Sequence, residues 1–308
     1  MNTELSGRVV LITGASSGIG ASTALEFAKY NSKLISFFYS ETRIHIDRVD
    51  VRDKQAIDDA IGKLPQEFKG IDVLINNAGL AIGFEPLEKK PQEEIQTVLE
   101  TNINGLIYVI QAVLPGMKER NSGDIIMMGS ISGQQSHGFG NSIYAASKHA
   151  VEGITDSLRK ELVKTKIRVL IIRPGSVNTE FTLKRSRGSS EFSEIYYSGY
   201  EPLNAKDIAE CVVFGANRPT NVVISELTVL PNAQVDVVTI HRDTNIDLFG
   251  ALAEKYSSER FFSLEVSECF FSLEVSGFLF SLKGSEIFFS LKDSELLELS
   301  LEFITTKW

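Results

Sequence analysis

The chain has 308 residues, of which 43% are hydrophobic and 23% are charged, and these ordinary globular values exclude general disorder. Its 40 acidic and 31 basic side chains give a formal net charge of −9, which argues against a nucleic-acid partner because phosphate binding needs a basic face. Two cysteines cannot build a disulfide framework, and no apolar run approaches the roughly 18 residues of a membrane span. We therefore expect a soluble, cytoplasmic protein without a transmembrane segment.

Short apolar segments alternate with amphipathic segments from residue 8 to about residue 242. The predicted strands are residues 9–13, 33–37, 46–49, 73–76, 124–129, 167–172 and 222–229. The predicted helices include residues 21–29, 55–64, 92–118 and 144–163. Parallel strands need crossover connections, so this alternation predicts an α/β fold with a doubly wound, mostly parallel, Rossmann-like sheet in one domain over residues 1–242. Binding sites in such sheets lie beyond the carboxyl ends of the strands.

Residues 243–308 have a different composition and repeat every nine residues, as FFSLEVSEC, FFSLEVSGF, LFSLKGSEI and FFSLKDSEL. A period of nine places successive repeats on opposite faces of a strand or of a helix, so neither form aligns their apolar residues. Tandem duplication, or translated sequence that was not selected to fold, explains this pattern best. We expect an irregular tail rather than an independent domain. An interaction or membrane-surface segment is the alternative, which the excess of acidic residues disfavours.

A glycine-rich turn follows the first predicted strand, where residues 14–20 read GASSGIG and a predicted helix begins. Gly14 permits a tight turn, Gly18 lets the backbone approach a pyrophosphate, and Gly20 lets the helix pack closely on the strand. The helix then offers unpaired N–H groups to the phosphates. The pattern favours a dinucleotide site, and a turn that only connects the two elements is the alternative.

Two later segments fit the same cofactor. Asp50 follows the third predicted strand, where its carboxylate can accept a hydrogen bond from an adenine amino group or can cap the next helix. Asn76, Asn77, Ala78 and Gly79 end the fourth predicted strand, so small residues and amides would line the middle of the dinucleotide.

Four polar residues are candidates for acid–base chemistry. Tyr144 and Lys148 are one helical turn apart, so the ammonium group is expected to lower the pKa of the phenol towards neutrality. Ser130, just past the fifth predicted strand, can orient a carbonyl oxygen, and Ser132 is the less favoured candidate for that task. Asn102 can hold a water molecule in a proton path to Lys148. Residues 174–179 can close over a nicotinamide amide.

Together these motifs resemble the short-chain dehydrogenase/reductase family over roughly residues 7–242, through TGASSGIG, NNAG, the Asn102 segment, the Ser130 strand end, YAASK and RPGSVNT. The resemblance implies that Asn102, Ser130, Tyr144 and Lys148 form a catalytic tetrad. It also implies dinucleotide contacts from Gly14, Ser16, Ser17, Gly18, Ile19, Gly20, Asp50, Asn76, Ala78, Gly79, Tyr144, Lys148, Val177 and Thr179. A homotetramer is implied as well, with the helices of Asn102 and Tyr144 packed between subunits.

More narrowly, residues 64–79, 111–115, 121–125, 155–169 and 179–188 are similar to NADP-dependent 3-hydroxy acid dehydrogenases of fungi and bacteria. This similarity implies an oxidoreductase that moves a hydride between NADP and a small substrate such as serine or allo-threonine. Ser130, Tyr144 and, by its place in the loop after Thr179, Arg185 would contact that hydroxy acid or carbonyl compound. Arg187 is the alternative partner of a substrate carboxylate, and either arginine can equally be a solvated loop charge.

The segment between the second and third predicted strands departs from the family pattern. Only six residues, 38–43, lie between Phe37 and Ile44, whereas a helical crossover needs about 10–12 residues. We predict a third strand that is displaced or abnormally paired, with one face of the sheet less covered. Arg43 is a poor clamp for the 2′-phosphate of NADP because Glu41 is close, so NADP is implied by the resemblance and NAD stays open.

The remaining alternatives concern metals and activity. His45, His137, His149 and His241 lack metal-ligand spacing, so no metal site is expected. Because of the short crossover and the tail, a catalytically silent relative that acts as a non-enzymatic binding protein stays an open hypothesis. An active enzyme that uses another alcohol or ketone is also open, since this fold and tetrad fit many substrates.

Overall fold

The computed structural model describes residues 5–36, 44–46, 48–138 and 140–243, and four strands between residues 272 and 298. The chain divides into two units, Met1–Ile246 and Asp247–Trp308. The sequence-based boundary lies after residue 242, a few residues before the boundary between the two units. Every candidate site residue lies in the first unit.

A seven-stranded parallel sheet forms the centre of the first unit, in the order β3-β2-β1-β4-β5-β6-β9. The strands of this unit, in chain order, are β1 Val9–Ile12, β2 Lys33–Ser36, β3 Ile44–Ile46, β4 Ile71–Asn76, β5 Gly123–Met128, β6 Ile167–Pro174, β7 Val177–Asn178, β8 Leu203–Asn204 and β9 Glu226–Val229. Strands β7 and β8 form a separate two-stranded parallel pair. The chain crosses from β3 back to β4, beside β1, which creates the switch point where such sheets bind ligands.

The helices cover both faces of the sheet because neighbouring residues of a strand point to opposite sides. They are α1 Gly18–Ala28, α2 Lys54–Gly62, α3 Gln92–Leu99, α4 Leu106–Arg120, α5 Ser142–Glu161, α6 Glu180–Arg185, α7 Ser190–Tyr197 and α8 Ala205–Ala216. Phe27 of α1 and Val212 of α8 share one core with Ile12. Val109 of α4 and Val151 of α5 share the other core with Leu11. The predicted doubly wound α/β fold is confirmed.

The third strand differs from its prediction. It spans Ile44–Ile46 and not residues 46–49, and it pairs in parallel with β2 through Leu34↔Ile44, Ile35↔His45 and Ser36↔Ile46. The prediction of displaced or abnormal pairing is therefore wrong, because main-chain pairing to β2 defines the strand's place and the crossover length does not. The connection itself, with Glu41 and Arg43, lies outside the described residues, as do the side chains of β3. The predicted loss of cover on one sheet face thus stays a prediction.

One helical run among the described residues, Gln92–Arg120, is long and apolar enough by composition to cross a membrane. It comprises α3, a π-helical segment Glu100–Gly105 and α4. Its apolar side chains Val109, Val113 and Met117 are buried in the core of the first unit. Packing against the sheet therefore accounts for its composition.

The second unit contains an antiparallel sheet that the nine-residue period did not predict. Its strands are β10 Ser272–Val275, β11 Phe278–Lys283, β12 Glu286–Leu291 and β13 Leu296–Glu298, in that order. Corresponding positions of successive repeats face each other at Ser272↔Ser281 and Phe280↔Phe289. Directly paired residues lie on the same face of a sheet. Because the chain reverses direction between the strands, the alternation along one continuous strand does not carry over from one repeat to the next.

Candidate active site

A cleft of about 360 Å³ opens at the carboxyl ends of β1, β4, β5 and β6. Its walls come from the glycine turn after β1, the segment after β4, the end of β5, the first turns of α5 and a segment that follows β6. We call this last segment, residues 174–197, the lid; it begins at the final residue of β6. Parallel strands end at the same edge of a sheet, which is why segments so far apart in sequence meet here.

The glycine turn has the geometry that its sequence predicts. Gly14 and Gly18 have φ values of +64° and +54°, a region that side chains disfavour. A Cβ atom at Gly14 would lie 2.9 Å from the Cα atom of Ala78, and one at Gly20 would lie 2.3 Å from the carbonyl oxygen of Gly14. The first turn of α1 contains no acidic residue, so its N–H groups and dipole favour an anion in the cleft.

Asn77 links the segment after β4 to the glycine turn by hydrogen bonds. The sequence analysis did not assign this role to it. Its Nδ2 atom donates to the carbonyl oxygens of Thr13 and Gly14 at 3.0 and 3.1 Å. The backbone N–H groups of Asn77 and Ala78 both donate to Oγ1 of Thr13 at 3.0 Å. The NNAG motif indicated that this segment contributes to the site, but it did not show which of its two neighbouring asparagines faces the glycine turn.

Asn76, the neighbouring amide, was predicted to contact the dinucleotide, and the structure places it elsewhere. Its side chain is buried, is absent from the cleft wall, and donates from Nδ2 to Sδ of Met127 at 3.6 Å. Of the two amides only Asn77 lines the cleft, because side chains alternate along β4, and the contact of Asn76 with the dinucleotide stays a prediction.

Asp50 was predicted to accept from an adenine amino group or to cap the next helix, and the structure excludes the second of these roles. Its carboxylate is exposed and binds the guanidinium of Arg52, with an Oδ2–Nη2 distance of 2.6 Å. The hydrogen bond from Arg52 lowers the pKa of Asp50. The cap of α2 is Asp53, which accepts from the N–H of Ala56. Asp50 is not part of the cleft wall, and its contact with adenine stays a prediction.

Ser130, Tyr144 and Lys148 line the cleft together. Ser130 caps a short 3₁₀ turn by accepting from the N–H of Ser132 at 3.1 Å, and its hydroxyl group hydrogen-bonds the phenol of Tyr144. Nζ of Lys148 donates to the carbonyl oxygen of Met128 at 2.7 Å and lies 5.8 Å from the centre of the Tyr144 ring. The contact to Tyr144 comes from Ser130 and not from the alternative, Ser132.

The pKa of Tyr144 is raised, which is opposite in direction to the sequence-based expectation. Burial raises it, and the hydrogen bond from Ser130 and the positive charge of Arg185 offset part of that effect. Burial also lowers the pKa of Lys148 to about 8, against the attraction of Glu152. Arg185 is therefore the cation that acts on the phenol in this geometry.

Asn102 lies in the π-helical segment but not in the cleft wall. Its Oδ1 atom accepts from the N–H of Leu80 at 2.8 Å, and its Nδ2 atom donates to the carbonyl oxygen of Leu80 at 2.8 Å and to Oγ of Ser147 at 3.0 Å. Both amide hydrogens are therefore in use. The side chain ties the segment after β4 to α5, and the predicted water contact cannot use an amide donor.

The base of the lid packs on the glycine turn. A Cβ atom at Gly18 would meet the Cβ atom of Thr179 at 3.4 Å, and Thr179 caps α6 by accepting from the N–H of Phe181. Val177 and Thr179 both line the cleft, as do Ser16, Ser17, Gly18, Ile19, Ala78 and Gly79. Gly20 does not, since it serves the packing of α1 against the turn.

Arg185, the last residue of α6, places its guanidinium group in the cleft. Its Cζ atom lies 4.6 Å from the centre of the Phe84 ring and 6.0 Å from that of Tyr144, and Nη2 donates to Oδ1 of Asn141 at 3.3 Å. Its buried Nε atom has no hydrogen-bond partner, and no carboxylate pairs with it among the residues that the structure describes. Burial lowers the pKa of Arg185. An anion at this position would supply the missing charge and acceptor.

Arg187, the alternative to Arg185, points away from this position. It binds Glu85 and Glu94 with N–O distances of 2.6 and 2.7 Å and does not line the cleft. Its φ value of +53° turns the chain after α6, so the two arginines, only two residues apart, have different surroundings.

Aromatic rings and a histidine complete the wall, and the sequence analysis assigned none of them to the site. The rings are Phe84, Phe181, Phe192, Tyr196 and Tyr197. Burial and the charge of Arg185 lower the pKa of His137 to about 4, so this imidazole is neutral near pH 7. Within the described part of the chain, no group of three His, Cys, Asp or Glu side chains is arranged to hold a metal ion.

Comparison with known proteins identifies the scaffold. A model of the short chain dehydrogenase family matches residues 8–189, which include the glycine turn, Ser130, Tyr144 and Lys148. The chain belongs to the short-chain dehydrogenase family. It is therefore an NAD(P)-dependent oxidoreductase, as the motifs predicted.

Individual relatives are similar over nearly their whole length. The NADP-dependent 3-hydroxy acid dehydrogenase of Schizosaccharomyces pombe is 38% identical over 256 residues, which are 78% of this chain and 98% of that protein. Sulfoacetaldehyde reductase 2 of Chromohalobacter salexigens is 37% identical over 240 residues, or 73% of this chain and 95% of that protein. A closed form of serine dehydrogenase complexed with NADP⁺ has a TM-score of 0.72 at 36% identity and covers 76% and 99% of the two chains.

Proposed function

We propose that this short-chain dehydrogenase interconverts the hydroxyl and carbonyl forms of a small 3-hydroxy acid with NADP. The observation that carries the proposal is the guanidinium group of Arg185, which stands beside Tyr144 with a buried and unpaired Nε atom. A carboxylate there would pair with the arginine while the carbon that bears oxygen lies beside the phenol.

The cleft fits a dinucleotide on its other side. The cradle is formed by Gly14 and Gly18, whose positive φ values bring main-chain N–H groups to the surface, and by the N-terminus of α1. Ser16, Ser17 and Ile19 would hold the phosphates, Ala78 and Gly79 the central ribose, and Val177 and Thr179 the nicotinamide. The choice of NADP rests on the names of the relatives. When bound, the nicotinamide supplies the hydride acceptor or donor.

The chain's own residues would transfer the proton and bind the substrate oxygen. In the oxidation direction Tyr144 takes the hydroxyl proton on its phenolate oxygen, and in reduction it returns a proton to the carbonyl oxygen. Ser130, already hydrogen-bonded to this phenol, is placed to hold the same substrate oxygen. Lys148 keeps an ammonium group 5.8 Å from the Tyr144 ring, held by the carbonyl oxygen of Met128. Asn102 would act by position, since it joins the segment after β4 to α5.

Two relatives act on substrates that share one chemical feature. A 3-hydroxy acid and sulfoacetaldehyde each carry an anionic group one carbon away from the carbon that bears oxygen. The pairing of a guanidinium with a phenol fits this spacing, and Arg185 can bind either a carboxylate or a sulfonate. A carboxylate is favoured because three groups of relatives, including serine dehydrogenase, use such substrates.

Substitution of Arg185 tests the proposal. Arg185→Met should lower kcat/KM for 3-hydroxybutyrate relative to its methyl ester about 100-fold, because loss of one charge-assisted pair costs about 2–3 kcal/mol. An effect of the substitution on the pKa of Tyr144 changes kcat/KM for both substrates alike, so it cancels in the ratio of the two values. Arg218→Met is the matched control, since Arg218 also stacks on a phenylalanine ring, at 4.3 Å, and has a buried, unpaired Nε atom outside the cleft. An unchanged ratio in Arg185→Met would refute the carboxylate assignment.

We also propose a homotetramer that works in the cytoplasm, with α4 and α5 packed between subunits. This proposal rests on the resemblance to the family; on these helices Tyr108 and Ile154 pack against the core and keep part of their surface exposed. Light scattering on the full chain measures the mass directly, and a monomer would contradict it.

A further inference from the structure

Four charged side chains bind the lid to the segment after β4. Arg187 donates from Nη1 to Glu85 at 2.6 Å, and from Nε and Nη2 to Glu94 at 2.9 and 2.7 Å. Lys90 lies 3.3 Å from Glu85 and 3.6 Å from Glu94, with only 3% of its side chain exposed. We call these four residues, Glu85, Lys90, Glu94 and Arg187, the ionic clasp. Its two cations and two carboxylates balance in charge.

The clasp packs closely against Gly83, a residue in the left-handed backbone region. Gly83 has a φ value of +65°, and a Cβ atom there would lie 2.2 Å from Oε2 of Glu85 and 2.6 Å from Nη2 of Arg187. Burial opposes the ionisation of Glu85, but the hydrogen bond and charge of Arg187, together with Lys90, outweigh it and lower its pKa to about 2. Glu85 therefore stays ionised at any ordinary assay pH.

Arg185 is held on both sides by residues next to the clasp. Its carbonyl oxygen accepts from the N–H of Gly83 at 2.8 Å, and its guanidinium stacks on the ring of Phe84. Gly83 and Phe84 directly precede Glu85, and Arg187 follows Arg185 by two residues. Both contacts of Arg185 thus lie within two residues of the clasp.

We infer that Arg187, through Glu85 and Glu94, is a positioning residue that sets where Arg185 presents its guanidinium group. This inference rests on the proposed function, in which Arg185 binds the substrate anion. A bidentate arginine clamp holds geometry more firmly than a single contact, and small displacements of a binding group are costly. The clasp would therefore control the KM for anionic substrates from outside the cleft.

The experiment compares Arg187→Met with wild type, using 3-hydroxybutyrate and its methyl ester. We expect the KM for the acid to rise about tenfold while the KM for the ester and the affinity for NADPH stay unchanged. Any change in kcat should be the same for both substrates, since Arg185 also acts on Tyr144. Arg187→Lys, which keeps the charge but loses the fork geometry, should recover part of the loss. Glu94→Gln should behave as Arg187→Met does, whereas Glu93→Gln, which removes an exposed charge one residue away, should not.

Three outcomes would overturn the inference. The KM for the acid could be unchanged in Arg187→Met, the KM for the ester could rise as much as that for the acid, or the affinity for NADPH could fall in parallel. The last two results would show that the clasp only stabilises the fold. The variant Arg185→Met distinguishes a failure of the inference about Arg187 from a failure of the proposed function. If that variant does not discriminate between acid and ester, the carboxylate site itself is wrong, whatever Arg187 does.

Discussion

The charge of Arg185 should control the acidity of Tyr144 as well as substrate binding. Burial raises the pKa of this phenol, and Arg185 is the positive charge that counteracts the rise. Oxidation of an alcohol needs the phenolate form. Removal of the guanidinium in Arg185→Met should therefore slow oxidation even of a substrate that has no anionic group.

The size of the effect follows from the distance. Cζ of Arg185 lies 6.0 Å from the centre of the Tyr144 ring. At that separation two unit charges interact with about 3 kcal/mol at an effective dielectric constant of about 20. Both side chains are partly exposed, and screening by solvent reduces this energy to about 1–2 kcal/mol. We expect the phenolate fraction at a fixed pH to fall roughly fivefold to thirtyfold.

The assay is the NADP⁺-dependent oxidation of methyl 3-hydroxybutyrate, followed by cofactor absorbance across a pH series. The rate should rise with pH, and the curve for Arg185→Met should lie at higher pH than that of wild type and of Arg218→Met. At high pH the curves should converge, because the phenol is then ionised in all three proteins. Coincident curves, or a shift of Arg185→Met to lower pH, would refute the electrostatic argument.

Further predictions concern the cofactor turn, the clasp and the tail. Gly20→Ala should abolish NADPH binding, measured by nucleotide fluorescence, because its Cβ atom would lie 2.3 Å from the carbonyl oxygen of Gly14; binding at wild-type affinity would contradict the geometry. Glu85 has a folded-state pKa of about 2 against an ordinary value of 4.5, so its charge stabilises the fold above about pH 4.5 and this contribution is lost as the pH falls to about 2. The difference in unfolding free energy between wild type and Glu85→Gln, on the order of 1 kcal/mol, should shrink in urea titrations over that window. A chain that ends at Ile246 should keep its activity and NADPH affinity, and loss of either would assign the second unit a role.

Much of the site could be predicted because local rules decide it. The turn from Gly14 to Gly20 follows from conformations that side chains disfavour, and the helical spacing of Tyr144 and Lys148 follows from the period of α5. Such features need only neighbours in sequence. The alternation of strands and helices likewise predicted the sheet, since parallel pairing requires crossovers.

The differences from the sequence analysis depend on how side chains and strands pair in the folded chain. Asp53 and not Asp50 caps α2, while Arg52 binds Asp50, and the alternation along β4 turns Asn77 to the cleft. The short crossover suggested an abnormal third strand, yet β3 pairs with β2 in regular parallel register. Main-chain pairing and side-chain competition of this kind depend on the folded neighbours of a residue, which spacing does not reveal.

By itself, the sequence determined the family and the sheet and supplied candidates for the acid–base residues, because each depends on short-range periodicity or on glycine conformations. Only the tertiary structure showed how the surroundings of Arg185 and Arg187 differ. Two residues apart in a polar loop, they are equivalent by composition. The fold surrounds Arg187 with two carboxylates and leaves Arg185 among aromatic rings beside Tyr144. A guanidinium group keeps its binding capacity for a ligand only where the protein has not already neutralised it.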